Sequence, residues 1–463
     1  MPKQDRLSAA DIDAWRPAGP HFVGTDRRGP LRRGLQGAGQ FGLDQSAGRF
    51  WPVACVALEV TQRCNLDCTL CYLSEHAEMA HDVPLAVLRD RVAMIAEHYG
   101  PGTSVQLTGG DPSLRAPADL EALCRAIRGR GLRSCLMTNG IKASRELLAR
   151  LAAAGLDDVA FHVDVTQQRR GYPDEASLDG VRRAYLARAR GLGLRVLFNT
   201  TICAANLHEV VGLARFFRAH AGEIALASFQ LQAETGRGTA RPAQGEVSRA
   251  AVMRDLEAGM ATRLHFDVTA VGHRDCNRYT SVLVAGGEAV SLLEHRGLVH
   301  RLMKAFDTAM TPEVAYLDAR RVLPRLARQR PWLVAAVLAR AVILLWRLRR
   351  GLLRSRARAH RLALLVHDFM DADRLDRGRC ESCVFMVATR DGPISMCLHN
   401  ARRDAHVFAA SRLGTGSAVR WWDPVRGRAY RSEPAAQVPE TTPKQRKGRR
   451  PATTGASARR TPT

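Results

Sequence analysis

Three cysteines in one short stretch, Glu59-Val-Thr-Gln-Arg-Cys64-Asn-Leu-Asp-Cys68-Thr-Leu-Cys71-Tyr72, are the residues most able to do chemistry. Their C-x3-C-x2-C spacing suits an iron–sulfur cluster, in which each iron is normally held by one thiolate. Three ligands for a four-iron cluster leave one iron open, and an open position is what a reacting metal site requires. A zinc knuckle is the competing reading, with His76 or His81 as the fourth ligand.

A second set of cysteines lies far downstream: Cys276, the pair Cys380 and Cys383, and Cys397. Four thiolates can close a fully ligated cluster or a structural zinc site. The remaining Cys55, Cys124, Cys135 and Cys203 fall within apolar patterns and read as small buried hydrophobes. Between the two sets stand further polar candidates. In Thr108-Gly109-Gly110-Asp111-Pro112 the glycines let backbone approach a ligand and Asp111 offers a carboxylate to an ammonium group, although a plain turn has the same composition. In Phe161-His162-Val163-Asp164 the period of two puts His162 and Asp164 on one face. They could meet ribose hydroxyls or satisfy each other. Gln230 and Gln232 are weaker candidates for the same pocket, and Thr138-Asn139-Gly140 reads as a structural turn.

The elements that must position these residues alternate regularly from Trp51 onward. Strands are expected at 54–60, 104–108, 132–138, 158–163, 194–200 and 224–231. Helices are expected at 84–99, 118–130, 144–154, 178–190 and 207–220, by apolar periodicity and by stops such as Gly155. Strands alternating with helices imply βαβ units and a parallel sheet with right-handed crossovers. The cysteine loop and the Gly109-Gly110 turn both fall at the C-terminal ends of their strands, where the site gathers if such a sheet closes into a barrel.

With its Cys64-Asn-Leu-Asp-Cys68 wording and a Gly-Gly-Asp-Pro turn after the second strand, the chain resembles the radical S-adenosylmethionine (SAM) enzymes over residues 50–235. The resemblance implies an α/β fold, a partial (β/α)6 TIM-type barrel. It also implies a [4Fe–4S] cluster on Cys64, Cys68 and Cys71, and SAM bound through Gly109, Gly110, Asp111 and Pro112. His162, Asp164 and Asn199 would complete the SAM pocket. It further implies reductive cleavage of SAM to a 5′-deoxyadenosyl radical, and a reductant such as a ferredoxin or flavodoxin. The residue before the third cysteine, usually aromatic in that family, is Leu70.

A second resemblance covers His367-Asp-Phe-Met370-Asp371-Ala372, Cys380, Cys383, Gly392-Pro-Ile394, Cys397-Leu-His-Asn400 and the earlier His273-Arg-Asp-Cys276. These phrases are similar to the C-terminal part of tetraether synthase-like radical SAM proteins, which include archaeal lipid-coupling enzymes and pterin methyltransferases. They imply a C-terminal auxiliary domain with an auxiliary [4Fe–4S] cluster on Cys276, Cys380, Cys383 and Cys397. Residues 1–50 contain no cysteine, and Gly272 stands where that family often has an extra one, so fewer metal centres are expected.

Composition frames the rest. The apolar fraction of 46% is that of a globular protein, and eleven cysteines behind an N-terminus without an apolar signal segment suit a reducing, cytoplasmic setting and metal ligation. The formal charge of +24 calls for an acidic partner. Much of it sits in residues 320–361, which hold many arginines, no Asp or Glu, and an apolar run from Trp332 to Trp346. As a helix that run is about 22 Å long, too short for a bilayer core of about 30 Å. It fits an interfacial helix on the inner face of an anionic membrane. A buried helix with a basic solvated face is the alternative. Nucleic acid ranks last, because aromatic residues are sparse among the arginines. The expected organisation is a partly ordered extension at 1–49, a core at 50–235, a connecting region with Cys276 at 236–319, a basic amphipathic helical segment at 320–365, an auxiliary cluster domain at 366–432 and a disordered basic tail at 433–463. The leading substrate class is a membrane lipid. Peptide or protein modification is the runner-up, and a zinc-binding, nucleic-acid-associated protein is the alternative of a different class.

Overall fold

Six strands appear where the periodicity places them, within two residues at each end: β1 (Cys55–Thr61), β2 (Ser104–Gly109), β3 (Arg133–Thr138), β4 (Asp158–His162), β5 (Arg195–Ile202) and β6 (Ile224–Leu231). The structure, a computed structural model, describes residues 5–17, 26–240, 245–309, 319–414 and 419–439. Most of the tail expected at 433–463 therefore lies outside the described residues. Neighbouring strands from β1 to β6 are parallel, with helices in each crossover between them. Val56, Leu58, Val105, Leu107, Leu136, Val159, Phe161, Val196, Phe198, Ala227 and Phe229 pack outward against those helices in one continuous core. Alternate residues of the same strands, among them Glu59, Thr108, Met137, His162, Asn199 and Ser228, line the opposite, inner face. An apolar outer face and a mixed inner face position a polar site inside the curl of the sheet.

The sheet does not stop at six strands. Its order is β11-β10-β1-β2-β3-β4-β5-β6-β9-β7-β8, where β7 is Asn277–Ala285, β8 Glu288–Ser291, β9 His360–Asp368, β10 Phe385–Ala388 and β11 Pro393–Ser395. Both β9 beside β6 and β10 beside β1 run parallel, so eight consecutive strands are parallel. β7 and β8 form an antiparallel hairpin on β9, joined by Gly286-Gly287. Two domain expectations change here. The region at 236–319 is more than a connector, because its hairpin extends the sheet. Residues 360–365, expected within the basic helical segment, are strand: the helices end at Arg354 and β9 begins at His360.

The region expected as an auxiliary domain is divided. β10 and β11 belong to the barrel sheet, and a small antiparallel sheet follows (Ser411–Leu413, Arg420–Asp423, Arg428–Tyr430). The far sides of the large sheet approach each other through side chains: the ring of His367, in β9, meets Phe385, in β10, edge-on at 4.6 Å. The barrel thus has a seam, closed by packing where no ladder exists among the described residues. N-terminal residues reinforce it. The Leu7 N–H donates to the Leu375 carbonyl, Arg377 pairs with Asp5 and Asp11, and Gln45 Nε2 donates to the Gly272 carbonyl at 2.9 Å.

Candidate active site

Cys64, Cys68 and Cys71 lie in the loop leaving β1, at the C-terminal end of the parallel strands. Burial raises all three thiols, Cys64 to about 11, and Cys71 adds to the rise at both Cys64 and Cys68. Three thiols in one loop are the ligand set that a three-cysteine iron–sulfur site takes. The loop is held on both sides. From beyond β6, the Arg237 N–H donates to the Leu73 carbonyl at 2.8 Å, and its guanidinium reaches the Ser74 carbonyl and Glu78. On the other side, the Tyr72 hydroxyl donates to the Gly109 carbonyl at 2.6 Å.

The Gly109-Gly110 turn sits directly against this loop. Gly109 has φ +123°, and a Cβ there would lie 1.9 Å from the Thr61 carbonyl oxygen; at Gly110 it would lie 2.0 Å from that of Arg63. The close approach these glycines permit is therefore to the chain's own backbone, clamping the turn to the cysteine loop. The Gly110 and Asp111 N–H groups complete the clamp, donating to the Thr61 and Arg63 carbonyls at 2.8 Å each.

Asp111 is not the free acceptor expected for an ammonium group. It is buried, and its oxygens accept from the Ser113 N–H and hydroxyl, from the Thr138 hydroxyl and from the Asn139 N–H at 2.7 Å. Its lone-pair sites are filled within the chain. Pro112 opens a short turn after it. Asn139, expected to be structural, instead borders the loop: its amide donates to Asn65 Oδ1 at 2.7 Å and lies 4.0 Å from the Cys64 sulfur.

His162 and Asp164 satisfy each other, as the internal-pair alternative has it. His162 Nε2 bonds Asp164 Oδ2 at 2.7 Å, and Asp164 also accepts from the Thr166 and Thr201 N–H groups. Burial works against both charges, but the pairing wins: His162 is raised above its ordinary value and Asp164 held near 2. Asp164 has no exposed side-chain surface, whereas a third of that of His162 remains open. Strand register aligns His162, Asn199 and Ser228 across the inner face of β4, β5 and β6. The Asn199 amide makes only a long contact to Met137 Sδ at 3.9 Å, and the buried Ser228 hydroxyl has no partner among the described residues. These two are the least committed polar groups there and suit an incoming polar ligand. Gln230 follows one step along the inner face, beside His367, while Gln232 is drawn aside to the Gly245 carbonyl.

The second cysteine set meets at the seam. Cys276 precedes β7, Cys380 and Cys383 precede β10, and Cys397 opens the helix after β11. Burial raises Cys276, Cys380 and Cys397, and each also feels Cys383. Arg379 Nε donates to the Cys276 sulfur at 3.2 Å, and its other arm donates to the Asp368 carbonyl. Among the described residues, neither at this set nor at the first cysteine loop do three Cys, His, Asp or Glu groups converge on a single-ion position. A cluster takes one thiolate per iron, so its ligands need not converge on one point.

One connection between the two sets carries no motif. Arg403, six residues after Cys397, lies buried against β1. It donates to Glu59 Oε1 at 2.6 Å and stacks over the Tyr72 ring at 4.5 Å. Gln62 donates to the other Glu59 oxygen at 2.8 Å. Burial would raise Glu59, but Arg403 and His399 hold it at about 2. The only signal in the sequence is a charged Glu59 inside an otherwise apolar strand.

Residues 58–217 match the model of the Radical SAM superfamily. The chain carries a radical SAM domain. PqqA peptide cyclase of Xanthomonas campestris pv. campestris is 31% identical over 174 residues, covering 35% of this chain and 43% of that protein. The 7,8-dihydro-6-hydroxymethylpterin dimethyltransferase of Methanocaldococcus jannaschii is 25% identical over 186 residues, covering 39% and 36%. The chain thus spans less than half the length of these curated relatives. The crystal structure of Streptococcus suis SuiB bound to precursor peptide SuiA aligns at TM-score 0.35 with 14% identity, covering 49% of this chain and 47% of that one. The radical SAM domain takes in β1 to β5 with the cysteine loop, and leaves the seam outside it.

Proposed function

We propose that this chain is a radical SAM enzyme with two iron–sulfur centres, one on Cys64, Cys68 and Cys71 and an auxiliary one on Cys276, Cys380, Cys383 and Cys397. The observation that carries the reading is the three-thiol loop pinned against the Gly109-Gly110 turn at the mouth of the parallel sheet. A cluster held on Cys64, Cys68 and Cys71 would supply the transfer of one electron from an external reductant to SAM, which would split into methionine and a 5′-deoxyadenosyl radical able to take a substrate hydrogen.

The chain's own part is placement. The backbone of the Gly109-Gly110 turn would hold the SAM amino group, with Asp111 keeping that turn rigid. Asn199 and Ser228 offer hydrogen bonds to the nucleoside, and His162 presents its open edge beside them. Arg403 steadies Tyr72, and with it the end of the cysteine loop, by lying over its ring. The substrate is a membrane lipid in the first reading, supported by the phrases at 367–400 and by the arginine-rich segment at 320–361. A peptide substrate is the second reading, favoured by the likeness to PqqA peptide cyclase. Reconstituted, reduced protein is expected to release 5′-deoxyadenosine from SAM, with release stimulated by a lipid extract. Stimulation by a peptide extract instead would put the second reading first. No release under any condition would remove the function.

A further inference from the structure

The helix Pro331–Arg347 has two apolar faces, and only one is covered. Leu333, Leu344 and, just beyond the helix, Leu348 are buried. Leu333 packs with Leu298, Ala305 and Leu326; Leu344 and Leu348 pack with Ala285 and Val290 of the β7–β8 hairpin. Spacings of eleven and four residues place these three on one side of a 3.6-residue helix. The opposite side carries Leu338, Val342, Leu345 and Trp346, with relative exposures of 61%, 66%, 44% and 67%. Trp332 at 52% and Leu353 at 82% extend the patch at its two ends. The buried-helix alternative predicts a basic outer face; the face found is apolar.

Its surroundings are basic. Residues 320–361 contain thirteen arginines and no Asp or Glu. Among the described residues, the ion pairs of this stretch join Arg340 and Arg347 to Glu294 and Arg354 to Glu288. Those pairs tie the helix to its own protein. Arg325, Arg328, Arg349, Arg350, Arg356 and Arg358 are exposed around it.

We infer that the outer face of Pro331–Arg347 is a docking surface for an anionic lipid bilayer, on which the helix lies flat. Three features select this occupant. The apolar row carries two tryptophans about 21 Å apart along the axis, suited to lying within an interface. Among the described residues no helix is long and apolar enough to cross a membrane. The flanking guanidinium groups match phosphate headgroups. A second copy is the poorer occupant, because a two-fold interface sets each patch on its own image and brings arginine against arginine. The inference stands apart from the radical reaction: a surface can bind lipid whatever the barrel does.

The test is flotation of the full chain with phosphatidylcholine vesicles and with vesicles containing one-third phosphatidylglycerol, at low and high salt. Binding to the anionic vesicles is expected, with a fraction that survives high salt because apolar side chains are inserted. Val342→Asp together with Leu345→Asp changes only exposed positions and should lower the bound fraction at least ten-fold, with iron content and circular dichroism unchanged. Equal flotation of that variant, or no flotation of the parent chain on anionic vesicles, would overturn the inference. So would binding that disappears entirely at high salt, or a patch-dependent dimer in light scattering that ignores vesicles.

Discussion

The two cysteine sets solve the same problem of gathering thiols in opposite ways. The first is local: three residues within one loop, positioned by the end of a single strand and clamped by a neighbouring turn. The second is assembled from Cys276, Cys380, Cys383 and Cys397, brought together only because β9 and β10 come round to face each other across the seam. A local set survives almost any change elsewhere in the fold. An assembled set depends on closure of the whole sheet. Arg403 joins them, since the helix it opens follows Cys397 while its guanidinium covers Tyr72, next to Cys71.

The sharpest break in that comparison is Cys68→Ala. It should abolish 5′-deoxyadenosine formation and remove about four irons, the content of one [4Fe–4S] cluster, while the seam keeps its own. Iron assay and product analysis by chromatography check this. Cys380→Ala is expected to do the converse, losing the seam's iron and lowering thermal stability while leaving SAM cleavage by the first centre measurable. If both variants lose all iron, the two sets are not independent.

Next comes the link. Arg403→Met leaves Glu59 charged and buried without its partner, at a cost of about 3–5 kcal/mol. Denaturant titration should show it, and the double change Glu59→Gln with Arg403→Met should recover much of the loss. A smaller effect concerns the His162–Asp164 pair. Asp164 is held near 2, so its contribution is present above the unfolded value of about 3.9 and fades as pH falls towards 2. His162 is raised, so its contribution is complete below the unfolded value of about 6.5 and is lost as pH climbs through its folded value. Stability from the pair should peak between about pH 4 and 6.5. His162→Gln should flatten the alkaline limb in thermal melts, an effect of at most about 1 kcal/mol because solvent screens the open edge of the ring. The smallest expected effect is at Arg379. Replacement by Gln withdraws a charged hydrogen bond from the Cys276 sulfur and should move the seam centre's reduction potential downward in a spectroscopic titration.

What the sequence made legible follows the same division. β1 to β6 and the first cysteine loop were readable because helix and strand periods act over a few residues. The second cysteine set was readable as residue types, but its place was not. β10 is four residues long, and its membership in the barrel depends on pairing with β1, more than three hundred residues away. β9 was hidden because its first residues, His360 and Arg361, continue the basic composition of the helices before it. The β7–β8 hairpin had a readable Gly286-Gly287 signal that a loosened pattern around it obscured. Asp111 shows a different limit. Residue type marked it correctly as an acceptor, but only the fold shows that Ser113, Thr138 and Asn139 had already taken its lone pairs.

The place of β10 has a consequence in time. As the chain emerges from the ribosome, β1 is made more than three hundred residues before β10, and the edge it will share with Phe385–Ala388 stays bare over that interval. An open strand edge bordered by three reactive thiols is an invitation to misassociation and oxidation. The first loop can receive its iron while synthesis continues; the second set has no shape until the last strands arrive. With the two proposed centres, maturation should run in a fixed sequence, the seam being metallated last, and pulse-labelled chains stopped short of residue 385 should carry iron at the first loop alone.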